Sequence, residues 1–411
     1  MTKLTLSERF VSSVNENIFL AEFSFSKTRI RLASGLEDQL SDHVVRVGRL
    51  LFLYECKERG LSGKIPLERW FKREVENRAV GQLKKTISLL NSGQVLLIPN
   101  ERGRFFNLAS RWDDIQFRLV IFQSGSVRTS LPYTQYHISR SIGFIHIFDI
   151  FDYLSICEYL WTPMEIAEYL EWRESLLRRT QDDLHVSEQA MLGQYLLEEY
   201  QEKPNRRYAE ALRALHVDYS SFDLSRIFST FKDHLVYSIG GNGEENYYLF
   251  LELFAQMDRS ELQALKSRLK LAIQAVHDDR FELPWRFVSK RLDCGILIYP
   301  VLVIHYNDRL SFLRKFCLAA KYEQRTTHQL GISIARRDAD VLIDWSLHFF
   351  PWESNPKLEH FLKSNNPFRP LKIRSIPRYT FSSDELRKLG MVSDELQSQA
   401  NSTIRTDPQD S

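Results

Sequence analysis

Asp42, Glu55 and Lys57 are ionisable residues in a stretch where charge is costly. The run Asp42-His43-Val44-Val45-Arg46-Val47-Gly48-Arg49-Leu50-Leu51-Phe52-Leu53-Tyr54-Glu55-Cys56-Lys57 reads as two apolar strands joined by a tight turn at Val47-Gly48-Arg49. Side chains alternate across a strand, so Leu51, Leu53, Glu55 and Lys57 share one face and Phe52, Tyr54 and Cys56 the other. A strand apolar on both faces is buried on both, and uncompensated charge there costs on the order of several kcal/mol. A divalent cation held by Asp42 and Glu55, with Lys57 beside it, would supply the compensation.

The flanking sequence predicts the elements that position these groups. Residues 5–17 read as a helix with Ser7 as its cap, Leu6, Phe10 and Val14 on one face, and Glu8 near that face. Phe19 to Leu32 alternates as a strand or hairpin. After Lys57 comes a loop with two glycines, then a helix from Leu67 to about Asn91, in which Trp70, Val75, Ala79, Leu83, Ile87 and Leu90 recur at helical spacing. Gln94 to Pro99 is expected to be a buried strand. Between Lys64 and Lys85, seven Lys and Arg stand against three Glu, the densest basic patch near the proposed site.

This combination resembles the PD-(D/E)xK, or restriction-endonuclease-like, superfamily of metal-dependent nucleases. An acid opens one core strand in that family and Glu-x-Lys lies on the next; here these are Asp42 and Glu55-Cys56-Lys57. An acid in the preceding helix matches Glu8, with Glu16 in reserve. A Gln in the following helix matches Gln82, although Thr86 stands where the family's Gln-x-x-x-Tyr pattern has an aromatic residue, and Gln39 stands where related sequences carry a Glu. The resemblance covers roughly the first hundred residues.

It implies hydrolysis of phosphodiester bonds in nucleic acid, DNA in the first instance, with Mg²⁺ or Mn²⁺ as cofactor. Asp42 and Glu55 would hold the metal and Glu8 would complete its shell. Lys57 would orient the nucleophilic water and offset developing charge, and Gln82 would hydrogen-bond the water or the lysine. Lys64, Arg69, Lys72, Arg73, Lys84 and Lys85 would hold the nucleic-acid backbone. The family setting is defence, repair or mobile-element processing, with a partner protein or a homodimer as a means of control. The alternative is a catalytically inactive module of the same fold, serving nucleic-acid binding or protein interaction. Each residue also has an ordinary role: Glu55 and Lys57 as a salt-bridged strand end, Glu8 as a dipole-favoured helix start, Gln82 as a helix-face residue.

The remaining sequence narrows the choice of chemistry. At 411 residues the chain is long enough for two or three domains, and a net charge of +2 advertises no overall field for nucleic acid, so any such contact is local. The four cysteines, Cys56, Cys157, Cys294 and Cys317, form no CxxC pair, and the histidines form no HxH or HExxH spacing. No Walker motif or G-x-S-x-G elbow is present. The N-terminus lacks an apolar signal core and the longest apolar run contains Asp149, Asp152 and Glu158, so a cytoplasmic protein with no membrane partner is expected.

The expected fold class is α/β in the mixed α+β sense. A restriction-endonuclease-like core, with a central mixed sheet flanked by helices, occupies residues 1–180, and an α+β domain follows over 181–377. A disordered tail is expected over 378–411. The domain boundary falls in the stretch 180–220. The aromatic cluster Trp345–Trp352 reads as core, with base stacking as the other option.

Overall fold

The computed structural model describes residues 5–26, 29–31, 37–60, 65–125, 133–180, 186–198, 203–216, 223–224, 230–239, 243–338, 340–368 and 378–391. The chain forms two compact units, Met1–Val217 with Arg378–Ser411, and Asp218–Pro377. The first unit thus runs past residue 180 and takes back the C-terminal segment.

The first unit contains strands β1 (Ser24–Phe25), β2 (Arg29–Arg31), β3 (Glu37–Gln39), β4 (His43–Val47), β5 (Leu50–Glu58), β6 (Leu97–Pro99), β7 (Phe105–Asn107), β8 (Ile115–Gln123), β9 (Tyr136–Ser139) and β10 (Gly143–Asp149). Six of them make a mixed sheet in the order β1-β4-β5-β8-β10-β9. The β4–β5 hairpin pairs His43 with Tyr54 and Val47 with Leu50. Gly48 takes φ 56°, the left-handed turn position that glycine fills without a Cβ clash. On its other side β5 runs parallel to β8 from Leu50–Ile115 to Glu58–Gln123.

With neighbours on both edges, β5 is covered on both faces. Leu51 and Leu53 share a core with Val75, Ala79, Leu83 and Ile87. These belong to one long helix built of α2 (Leu67–Phe71), a π-helical stretch (Lys72–Ala79) and α3 (Val80–Leu90). The opposite face meets α1 (Leu6–Ile18) and α4 (Ile150–Tyr159). There the Phe19 and Phe52 rings meet tilted, with centroids 4.9 Å apart, and the Tyr153 hydroxyl donates to Asn15 Oδ1 at 2.6 Å beside the Tyr54 hydroxyl at 3.1 Å. The cap of α1 is Thr5, not Ser7. Glu8 stands three residues after Thr5 and returns a carboxylate to the Thr5 N–H at 2.7 Å, completing a capping box that Ser7 has no partner to form.

The buried strand expected at 94–99 is shorter and half exposed: β6 alone is a strand there, it pairs with β7 as a separate ribbon, and Leu96 and Ile98 are buried whereas Val95 and Leu97 are exposed. The strand that follows the long helix into the sheet is β8. The expected loose tail is also ordered at its start: Thr380–Phe381 pairs with Leu215–His216, and Ser383–Lys388 is a helix capped by Ser382. Residues 392–411 lie outside the described residues.

A buried charge network ties α5 (Pro163–Thr180) and α6 (Glu188–Leu196) to β10. Arg173 meets Glu188 through Nε at 2.9 and 3.1 Å and through Nη2 at 3.0 Å, lies 4.2 Å above the Phe148 ring, and donates from Nη1 to His146 Nδ1 at 3.1 Å. Burial and the adjacent guanidinium hold His146 well below the usual imidazole range, so it is a neutral acceptor.

The second unit is a five-stranded sheet in the order Leu235–Ile239, Asp340–Phe349, His328–Arg337, Cys294–Pro300, Trp285–Ser289. Helices Arg259–His277 and Arg309–Gln324 pack against it. Trp345 is fully buried, with Phe231 and Phe250 rings 5.6 and 5.1 Å away. Among the described residues no helix is long and apolar enough to cross a membrane.

Removing one member of a fully desolvated pair strands the other. Arg173→Met should therefore cost about 3–5 kcal/mol in urea unfolding, and the double change with Glu188→Leu should recover part of that loss. Equal stability of Arg173→Met and wild type would contradict the assignment.

Candidate functional site

Asp42 stands at the entrance to β4, where its backbone N–H bonds the Tyr54 carbonyl at 3.1 Å. Its carboxylate reaches across the hairpin and accepts the Cys56 N–H at 2.8 Å. Hairpin register thus fixes where this acid points. Strand alternation then brings Glu55 and Lys57 to the same place: Lys57 Nζ lies 3.1 Å from Glu55 Oε2 and 3.5 Å from Asp42 Oδ2. The side chains of Asp42, Glu55 and Lys57 are 9, 1 and 11% exposed, so the group lies below the surface at the mouth of the sheet.

Ser41 is a member that sequence reasoning missed. Its hydroxyl donates to the Tyr54 carbonyl at 2.6 Å and lies 3.3 Å from Glu55 Oε1. No residue-type signal marks it, because its role depends on a backbone carbonyl across the hairpin.

Burial, and next the Asp42 charge within hydrogen-bonding reach, push the Glu55 carboxyl up to about 8, with Lys57 opposing the rise. Lys57 is pulled down by burial, but the two acids outweigh that and hold it above the usual ammonium range. Near neutral pH Glu55 is therefore largely protonated, and Lys57 keeps its ammonium charge. Cys56, on the other face, is raised well above the usual thiol range by burial and is not a nucleophile.

The other expected members are placed as follows. Glu8 is half-buried in the first turn of α1, its carboxylate engaged in the capping box, and its charge is felt at Cys56. The neighbouring Ser7 N–H bonds Glu58 Oε2 at 3.1 Å, which ties α1 to the end of β5. Gln82 sits in α3, beyond the π-helical stretch, and among the described residues makes no hydrogen bond to the three site groups. Its Oε1 and the hydroxyl of Thr86, one turn on, are buried and have no hydrogen-bond partner among the described residues.

Arg69, Lys72, Arg73, Lys84 and Lys85 are all exposed. The first three stand in the turns that follow the loop from β5. Lys84 and Lys85 lie about three turns farther along the same helix. Arg73 pairs with Glu74 at 2.8 Å. Lys64 and the side chain of Gln39 lie outside the described residues.

Among the described residues no three His, Cys, Asp or Glu side chains converge as a metal-binding set. The Asp42–Glu55 pair is a two-carboxylate donor set of hard oxygens. That suits an ion such as Mg²⁺, which keeps most of its waters and needs one or two carboxylates as anchors. Compared with known proteins, the chain matches no family model, no curated protein and no solved structure.

Glu55 sets a pH dependence. Its folded pKa is raised from 4.5 to about 8, so its contribution is fully present below pH 4.5 and is lost as pH rises toward 8. Glu55→Gln removes that slope. In thermal melts without divalent metal, it should gain stability over wild type between pH 5 and 8.5; a difference that stays constant with pH would contradict the protonated, buried Glu55.

Proposed function

We propose that the first unit is a metal-dependent nuclease that hydrolyses phosphodiester bonds, with DNA as the first substrate to test. The observation that carries this reading is the convergence of Asp42, Glu55 and Lys57 at the buried end of β5. Asp42 and Glu55 would hold Mg²⁺ or Mn²⁺. The chemistry such an ion supplies when bound is polarisation of a phosphoryl oxygen and a lowered pKa for water. Asp42 is the oriented anchor, because the Cys56 N–H fixes one of its oxygens. Glu55 is the second anchor, its carboxylate within 3.1 Å of the same Lys57 ammonium.

Lys57 is held between the two acids and can turn its ammonium to an arriving phosphate, where it would offset the charge that develops in the transition state. Arg69, Lys72 and Arg73, on the helix that follows the site loop, would position the backbone without reading sequence. A second reading is a non-catalytic module of the same fold. One observation favours it: Lys57 already pairs with both acids.

Plasmid and oligonucleotide cleavage with Mg²⁺ or Mn²⁺ separates the two. Catalysis predicts metal-dependent cutting that falls by roughly 10²-fold or more in Asp42→Asn and in Lys57→Ala. Both variants should keep the wild-type circular dichroism spectrum. No cutting by wild type, with nucleic-acid binding equal in all three proteins, would overturn catalysis in favour of the binding module.

A further inference from the structure

The second unit carries a cleft of about 450 Å³, a size in the range of small-ligand pockets. Its aromatic wall is Trp352 and Tyr322, with ring centroids 5.4 Å apart and planes at 32°. Both rings are held before any ligand arrives. The Trp352 indole N–H donates to the Tyr322 carbonyl at 3.0 Å, and the Tyr322 hydroxyl accepts the Asn355 N–H at 3.3 Å. The aromatic cluster therefore divides: Trp345 is core, whereas Trp352 is half-buried and lines an open cleft.

Arg325 ends the helix Arg309–Gln324 in a left-handed conformation, φ 55° and ψ 38°, a position that glycine takes more easily. Its guanidinium lies 5.4 Å from the centre of the Trp352 ring. The acids of the cleft are already engaged: Glu359 pairs with Lys363 at 2.9 Å, and Glu323 meets Arg286 and accepts the Asn366 amide at 3.0 Å. Arg325 is exposed, and its charge helps, after Lys363, to hold the Glu359 carboxyl below the usual range. The cleft thus offers an indole ring held by its N–H and an exposed planar cation beside it, with Ser354 also in its lining.

We propose that this cleft binds an unpaired nucleobase of single-stranded nucleic acid, stacked on Trp352, with Arg325 covering the base or reaching its phosphate. Indole and guanidinium planes both stack on bases without regard to sequence. A paired base in a duplex does not offer its faces, so the cleft selects single strands. The inference stands on the second unit alone and does not depend on catalysis by the first.

The test uses the full chain in EDTA and a hexanucleotide carrying one 2-aminopurine, whose emission falls on stacking. Wild type should quench the single strand and not its duplex. Trp352→Ala should abolish the quench, and Trp352→Phe should keep part of it. Arg325→Ala, a change at an exposed residue, should weaken the single-strand affinity roughly five-fold or more. No quench by wild type, or an unchanged quench in Trp352→Ala, would overturn the proposal. So would an Arg325→Ala titration that overlays wild type. A chain that quenches the hexamer in EDTA, yet cuts nothing when Mg²⁺ or Mn²⁺ is supplied, would contradict the nuclease reading alone.

Discussion

The burial of an acidic carboxyl at the end of the central strand is the constraint on which the site depends. Glu55 is almost without solvent, and an isolated carboxylate there would cost several kcal/mol by order of magnitude. Two arrangements reduce that cost. The carboxyl holds its proton more tightly, its pKa raised to about 8 by burial and next by the Asp42 charge, and Lys57 lies 3.1 Å away. A buried carboxyl of raised pKa, beside a second acid and an ammonium, distinguishes this cluster from an ordinary surface salt bridge.

The fold serves this cluster by pairing β5 on both edges and covering both of its faces. Hairpin pairing with β4 fixes Asp42 against Cys56, and parallel pairing with β8 fixes the other edge. Aromatic packing from α1 and α4 covers one face, and the long helix covers the other. The π-helical stretch lies in the half of that helix nearest the loop from β5. Such stretches are rare and recur near functional sites, where they shift side chains off the regular helical register.

Much of the site was legible in the sequence because strand geometry is short-range. Alternation alone places Glu55 and Lys57 together, and the glycine turn fixes the register that brings Asp42 across. Gln82 was not legible in the same way. Its distance from the site depends on the length of the loop before the helix and on the π-helical turns, neither of which side-chain periodicity reveals. Residues 94–99 misled for a related reason: a four-residue apolar run does not say which sheet it joins, and here Val95 and Leu97 face outward. The return of residues 378–391 depends on pairing with a ribbon more than 150 residues earlier in the chain, as Phe381 with Leu215 shows. Thr5 took the cap from Ser7 because Glu8 is spaced to answer only one of them.

The most direct test of the central claim is Mn²⁺ binding followed by electron paramagnetic resonance, on wild type, Asp42→Asn and Glu55→Gln. The account predicts a bound ion in the first unit that both substitutions remove or weaken by tenfold or more, with all three proteins folded. Binding that is absent from wild type, or that both substitutions leave unchanged, would contradict the assignment of Asp42 and Glu55 as a metal-holding pair.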